Sequence, residues 1–183
     1  RYVGDEEERI YHAIKILRES PLYIIELPDF SLQDIEAIIK KNIREHDVKF
    51  VFHDYIHTSI KILEEITRRS GGVKLREDNI LFMLSTRLKD ICNQYNIFIL
   101  SSTQLNADYQ ISETPDQNLL RGAKAIADKI DFGCILLPVK QEDLESLAKV
   151  LQRSNFEKPT HKLSIYKNRR GRYNGIYLWC KGD

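Results

Sequence analysis

Six short runs of apolar, β-branched and aromatic residues constrain this chain more than any other feature: residues 22–25, 50–52, 97–100, 132–137, 163–166 and 176–179. Each has the length and composition of a strand. Helical spacing marks residues 5–19, 32–46, 60–68 and 78–95, around and between the first of these runs, and a further helix at 142–152. The helix at 32–46 opens with Ser31, an N-cap residue, and Asp34 at its third position. Strands apolar on both faces and separated by helices predict a parallel sheet covered on both sides, because a parallel crossover needs a dozen or more residues. The class is therefore α/β. The last two runs are joined only by the short basic turn Asn168-Arg-Arg-Gly-Arg-Tyr-Asn174, which predicts an antiparallel hairpin and a mixed sheet at that end.

With 183 residues, 42% of them hydrophobic, the chain can bury one core, so residues 1–183 are expected to form a single domain. Lys and Arg number 28 against 27 Asp and Glu, a formal charge of +1, so no global basic field marks a nucleic-acid binder and any such site must be local. Cys92, Cys134 and Cys180 are odd in number, far apart and set in apolar runs. That argues against a disulfide framework or metal knuckle and favours a reducing, cytoplasmic setting. No apolar stretch reaches the roughly 18 to 20 residues that span a bilayer. The chain begins with Arg1 rather than Met, which leads us to expect a piece of a longer protein.

Four stretches could carry chemistry. Lys49-Phe-Val-Phe-His-Asp54-Tyr puts a carboxylate just after a strand, and in open α/β sheets ligands bind beyond the carboxyl ends of strands. A phosphate-bound magnesium would be held there; an Asp at that place can equally cap the next turn. The following strand ends in Ser102-Thr-Gln104-Leu-Asn106, so the Gln104 amide is expected at the same edge, either sensing a γ-phosphate or satisfying loop backbone. Beyond a polar stretch, Leu119-Leu-Arg121-Gly122-Ala-Lys124 offers charge and backbone amides to a phosphodiester, or is a solvated connection. Lys167, Arg169, Arg170 and Arg172 then place four cations within six residues of the hairpin turn. They either guard a strand edge or reach a phosphate on a neighbouring subunit. His12, His46, His53, His57 and His161 show no ligand spacing, and no metal-binding histidine site is assigned.

In this order the pieces resemble the C-terminal motor domain of the DnaB family of replicative helicases, over nearly the whole chain. The family's acidic helix, Pro-Leu-Tyr-Ile strand, amphipathic helix and Walker B strand ending in Asp-Tyr match residues 5–19, Pro21-Leu-Tyr-Ile24, 32–46 and 50–55. Thr103-Gln-Leu-Asn106 stands for the family's Ser-Gln-Leu-Asn. Leu120-Arg121-Gly-Ala-Lys-Ala125-Ile126, with Asp131 before a buried strand, matches the DNA-contacting loop, and Lys167-Asn-Arg169-Arg-Gly171 matches the closing Lys-x-Arg-x-Gly.

The resemblance implies a RecA-like P-loop NTPase core, a mostly parallel sheet flanked by helices with a C-terminal antiparallel hairpin. It implies ATP and Mg²⁺ as cofactors, with Asp54 on the metal, Gln104 coupling the γ-phosphate to the DNA loop, and Lys167 and Arg169 reaching the ATP of the adjacent subunit. Arg121, Gly122 and Lys124 would grip the backbone of single-stranded DNA, contacts that carry no base code. The activity implied is unwinding of duplex DNA by 5′-to-3′ translocation of a homohexamer, with a primase and a helicase loader as partners, in the cytoplasm of a bacterium or phage-infected host. The chain departs from the family's pattern in two ways. It holds no Gly-rich Walker A loop and no catalytic glutamate segment, both upstream in the family, so alone it is expected to hydrolyse little or no ATP. Residues 80–84 are also more apolar than the family's usual acids and serines. Another RecA-like ATPase, recombinase-like or clock-type, and a non-catalytic scaffold of the same fold remain open at this point.

Overall fold

The computed structural model describes residues 4–69, 71, 76–106, 117–120, 126–153, 157–172 and 175–178. Along them run α1 (Glu6–Glu19), α2 (Leu32–His46), β1 (Phe50–His53), α3 (Ile60–Arg69), α4 (Glu77–Tyr95), β2 (Phe98–Ser101), a 3-10 turn (Gln117–Leu119), β3 (Phe132–Pro138), α5 (Gln141–Arg153), β4 (His161–Asn168) and β5 (Gly175–Leu178). The five helices fall within a residue of the spacing-based bounds at each end.

Local chemistry explains why α2 starts and stops where it does. Ser31 Oγ accepts from the Asp34 amide at 3.0 Å while the Asp34 carboxylate accepts from the Ser31 amide at 2.9 Å, a reciprocal capping box. The helix ends at Asp47, which takes the left-handed conformation (φ 52°) that helix C-termini favour. Between the caps, Leu32, Ile35 and Ile39 form a buried stripe at helical spacing. That stripe packs with Ile62 and Ile66 of α3 and with Ile80, Leu81, Leu84, Leu88 and Ile91 of α4 into the main core. Each such side chain removed from water contributes about 1.5–3 kcal/mol before entropy is counted. Polar contacts fix the register of the three helices: the Leu32 amide donates to Glu65 of α3 at 2.9 Å, and Glu36 of α2 binds Arg87 of α4.

α4 ends at Asn96, again left-handed (φ 50°), and turns directly into β2. β1 and β2 are parallel, with Phe50 opposite Phe98 and His53 opposite Ser101. β3, β4 and β5 form a separate antiparallel sheet in that order. The two sheets meet through an isolated bridge, Leu105 to Leu120, and a smaller core of Leu119, Leu120 and Ile135 with Leu105, Leu137 and Tyr166.

Two features depart from a single, mostly parallel sheet covered on both faces. Residues 22–25 join no ladder among the described residues; Tyr23 instead stacks on His46 at 4.1 Å. An apolar run favours extended backbone, whereas a strand needs a neighbour's N–H and C=O groups. Among the described residues parallel pairing is likewise confined to β1 and β2; β3 stands at the end of its sheet and pairs along one edge with β4, from Phe132 opposite Asn168 to Pro138 opposite His161. The parallel pair turns Val51 and Ile99 to the core but leaves Phe50 (68%), Phe52 (69%), Phe98 (53%) and Leu100 (49%) exposed on the other face. The antiparallel hairpin at the C-terminal end is as expected. α1 buries none of its residues. Among the described residues no helix is long and apolar enough to cross a membrane. Cys92 and Cys134 are free thiols whose pKa burial pushes up, and Cys180 lies outside the described residues.

Candidate functional site

The parallel register decides where Asp54 and Gln104 stand. Since His53 pairs with Ser101, the residues that follow each strand leave the sheet side by side at its carboxyl edge. The Ile56 amide donates to the Ser102 carbonyl at 2.9 Å, which carries the pairing past the strand ends. Asp54 is exposed, Ser102 Oγ donates to its Oδ1 at 3.4 Å, and among the described residues no cation pairs with it. Gln104 is exposed beside it, and its Nε2 donates to the Tyr55 hydroxyl at 3.4 Å. The two residues expected at one edge are thus brought together.

Beneath that edge lies a polar lock absent from the residues singled out by motif. Ser101 Oγ donates to the His53 carbonyl at 2.6 Å and stands 3.0 Å from His53 Nδ1. A hydroxyl has one proton, already given to the carbonyl, so Nδ1 must carry the hydrogen and donate it to Ser101. Burial pushes the His53 pKa down, His57 acts in the same direction and Asp54 against it. A neutral Nδ1–H imidazole therefore clamps the residue before Asp54 to the neighbouring strand. Phe30 packs edge-on against both His53 (6.1 Å) and His57 (5.0 Å), and His57 Nδ1 donates to the Tyr55 carbonyl at 2.8 Å. The only sequence signal for this lock was a histidine inside an apolar strand; its partner lies 48 residues away.

Lys167 and Arg169 sit on the other sheet, at the end of β4 and in the turn that follows, and both are held by their own chain. Lys167 donates to the Ala127 carbonyl. Arg169 Nη1 donates to Asp131 Oδ1 at 3.1 Å and Nη2 to the Asp128 carbonyl at 3.1 Å. Asp131 also binds Lys89 of α4; that bond, then the charges of Arg169 and Arg170, hold its carboxyl below the usual carboxylate range. Arg121, Gly122 and Lys124 lie outside the described residues. A separate cleft between α2, α3 and α4, lined by Glu36, Glu65, Arg69 and Arg87 among others, shares no residue with the Asp54 edge.

The model of the DnaB-like helicase C-terminal domain family matches residues 2–183. A prophage-derived uncharacterized protein of Bacillus subtilis, YorI, is 38% identical over 95% of this chain and 35% of its own length. The replicative DNA helicase DnaB of Mycoplasma pneumoniae is 26% identical over 87% of this chain and 32% of its own. The chain thus spans about a third of the curated relatives it matches. Among solved structures, one described as an ATPase domain superposes with a TM-score of 0.71 at 14% identity, over 98% of this chain and 62% of that one. A DnaB-like replicative helicase, described with its interactions with primase, gives the same TM-score and identity over 97% and 39%. At that identity the likeness shows the shared fold alone.

Proposed function

We propose that this chain, which belongs to the DnaB-like helicase C-terminal domain family, supplies the magnesium-side, sensor, DNA-loop and finger parts of a ring-shaped replicative helicase. The observation that carries the reading is the pairing of Asp54 and Gln104 at the carboxyl edge of a parallel strand pair, the place where α/β sheets bind ligands.

The residues at that edge suit a magnesium nucleotide. Among the described residues no three His, Cys, Asp or Glu side chains gather into a metal cage. Magnesium, however, keeps several waters and commonly takes only one or two carboxylates beside phosphate oxygens. An exposed Asp54, with no competing cation among the described residues, fits that demand. ATP and Mg²⁺ would bring the transferable γ-phosphoryl group and the charge that polarises it. The chain's own part is positional. Asp54 holds the metal side of the nucleotide, with the Ser102 hydroxyl on its carboxylate and the His53–Ser101 lock fixing the strand behind it. Gln104, at hydrogen-bond reach of Tyr55, orients to the γ-phosphate without adding charge and passes its state to the segment that follows.

Arg121, Gly122 and Lys124 grip the single-stranded DNA backbone in a sequence-independent way, which suits a motor that moves over any sequence. Lys167 and Arg169 reach the nucleotide of the next subunit in a homohexamer, and nucleotide-dependent staggering of the six loops drives 5′-to-3′ translocation and unwinding. A primase and a loader are the expected partners, and the bacterial or phage-infected cytoplasm the expected place.

In the complete protein, Asp54→Asn is expected to abolish ATP turnover while thermal unfolding stays as in the wild type, since the side chain is exposed. Magnesium-dependent hydrolysis at the wild-type rate in that variant would overturn the reading. A complete wild-type protein that hydrolyses ATP yet fails to unwind a forked duplex would instead favour a recombinase-like or clock-type ATPase, and one that hydrolyses none, a scaffold.

A further inference from the structure

We propose that Asp131 is a positioning residue for the basic hairpin: with the Asp128 carbonyl it aims the Arg169 guanidinium at the neighbouring subunit's nucleotide, and through Lys89 it ties that cation to α4. This rests on the reading of Arg169 given above and adds to it the group that holds the side chain.

Asp131 stands immediately before β3 and meets the hairpin turn twice. Its backbone carbonyl accepts from the Arg169 amide at 3.0 Å, and its Oδ1 accepts from Arg169 Nη1 at 3.1 Å. Its other carboxylate oxygen is taken by the Lys89 ammonium. The Asp128 carbonyl accepts from Arg169 Nη2 at 3.1 Å. A guanidinium is planar with five N–H donors in a rigid fork, so two bonds to separate nitrogens fix its plane. Three of the five N–H groups remain outside these bonds among the described residues, enough for a bidentate grip on a phosphate. The clamp therefore orients the cation without using it up.

The place of the clamp in the fold matters as much as its geometry. Lys89 lies on α4, which leads directly into β2 and so to Gln104. Ala127 and Asp128, whose carbonyls hold Lys167 and Arg169, lie in the segment joining residues 121–125 to β3. The helix behind the sensor and the finger thus meet on one carboxylate, and the far end of the DNA-loop segment holds the same finger through the Asp128 carbonyl. A long side chain at an exposed turn otherwise loses much rotamer freedom when a ligand fixes it, and a clamp formed beforehand leaves less to lose. The pair is well exposed, with Asp131 at 57% and Arg169 at 47%. Exposed ion pairs contribute little to stability, so removing the carboxylate should spare the fold.

The test uses the complete, assembled protein and four variants: Asp131→Ala, Asp131→Glu, Arg169→Ala and the Ala double. Asp131→Ala is expected to lower kcat roughly tenfold to a hundredfold, the scale of one hydrogen bond to a charged group, with KM for ATP and the unfolding temperature near wild type. The double variant should turn over no more slowly than Arg169→Ala, and Asp131→Glu should recover part of the rate. Wild-type kcat in Asp131→Ala, beside a crippled Arg169→Ala, overturns the positioning role and leaves the finger intact. Multiplicative losses in the double variant overturn it as well, since Asp131 would then act apart from Arg169. Wild-type kcat in Arg169→Ala removes the finger and this inference together.

Discussion

Gly133 sits where β3 slips out of register with β4, and the Tyr166 ring occupies the space a side chain would need: a Cβ built on Gly133 would lie 2.7 Å from Tyr166 Cε2. Gly133→Ala is expected to cost about 1–3 kcal/mol, as overpacking does, and to shift the urea midpoint accordingly; an unchanged midpoint would show that the bulge yields freely. The same burial pushes the Tyr166 phenol up to about 12 from its ordinary 10. Unfolded chains release this proton first, so stability should fall as pH rises from 10 towards 12, and Tyr166→Phe should flatten that part of the curve. At this scale Asp54 and Gln104 were legible because a residue that follows a strand must emerge at the sheet edge. His53 with Ser101 and Asp131 with Arg169 were not, because their partners lie 48 and 38 residues away and only folding brings them together.

Among the elements, α5 shows how a helix with no buried residue is held. Asp143 in its first turn accepts from Lys162 of β4 at 2.7 Å, from Tyr177 of β5 at 3.0 Å and from the Lys140 amide at 3.1 Å. Burial raises the Asp143 pKa, but these bonds outweigh it and leave the carboxyl below its usual range. Asp143→Ala should cost about 1–3 kcal/mol and release α5 first, visible as faster amide exchange in that helix than in β4. Equal exchange in both would mean that the apolar face of α5 holds it alone. All five helices were readable from spacing because their hydrogen bonds close within four residues and caps such as Ser31 with Asp34 are local. The run at 22–25 was misread as a strand because apolarity does not supply a neighbour to pair with.

For the molecule as a whole, the open face of the parallel pair is the dominant feature. Phe50, Phe52, Phe98 and Leu100 form an exposed apolar patch, with the Phe50 and Phe98 rings 6.1 Å apart. The 183-residue chain on its own is expected to bind a hydrophobic dye and to self-associate as concentration rises, and Phe52→Thr with Phe98→Thr should reduce both. A monodisperse monomer that leaves the dye dark would contradict this. The family match extends over nearly the whole chain, whereas the match to curated relatives takes in about a third of their length, so unwinding, ring formation and partners are properties to test on the complete protein.

By itself the sequence determined the α/β class, the helices and their caps, and the order of motifs that marks the family, because helix hydrogen bonds, caps and hydrophobic periodicity are relations between near neighbours. Only the tertiary structure decided which strands pair, that the sheet divides into a parallel pair and an antiparallel triplet, and that Arg169 rests on Asp131. Those are contacts between distant residues. Each depends on which partner's free hydrogen-bonding edge or charge the whole fold brings within reach, a relation that local spacing does not carry.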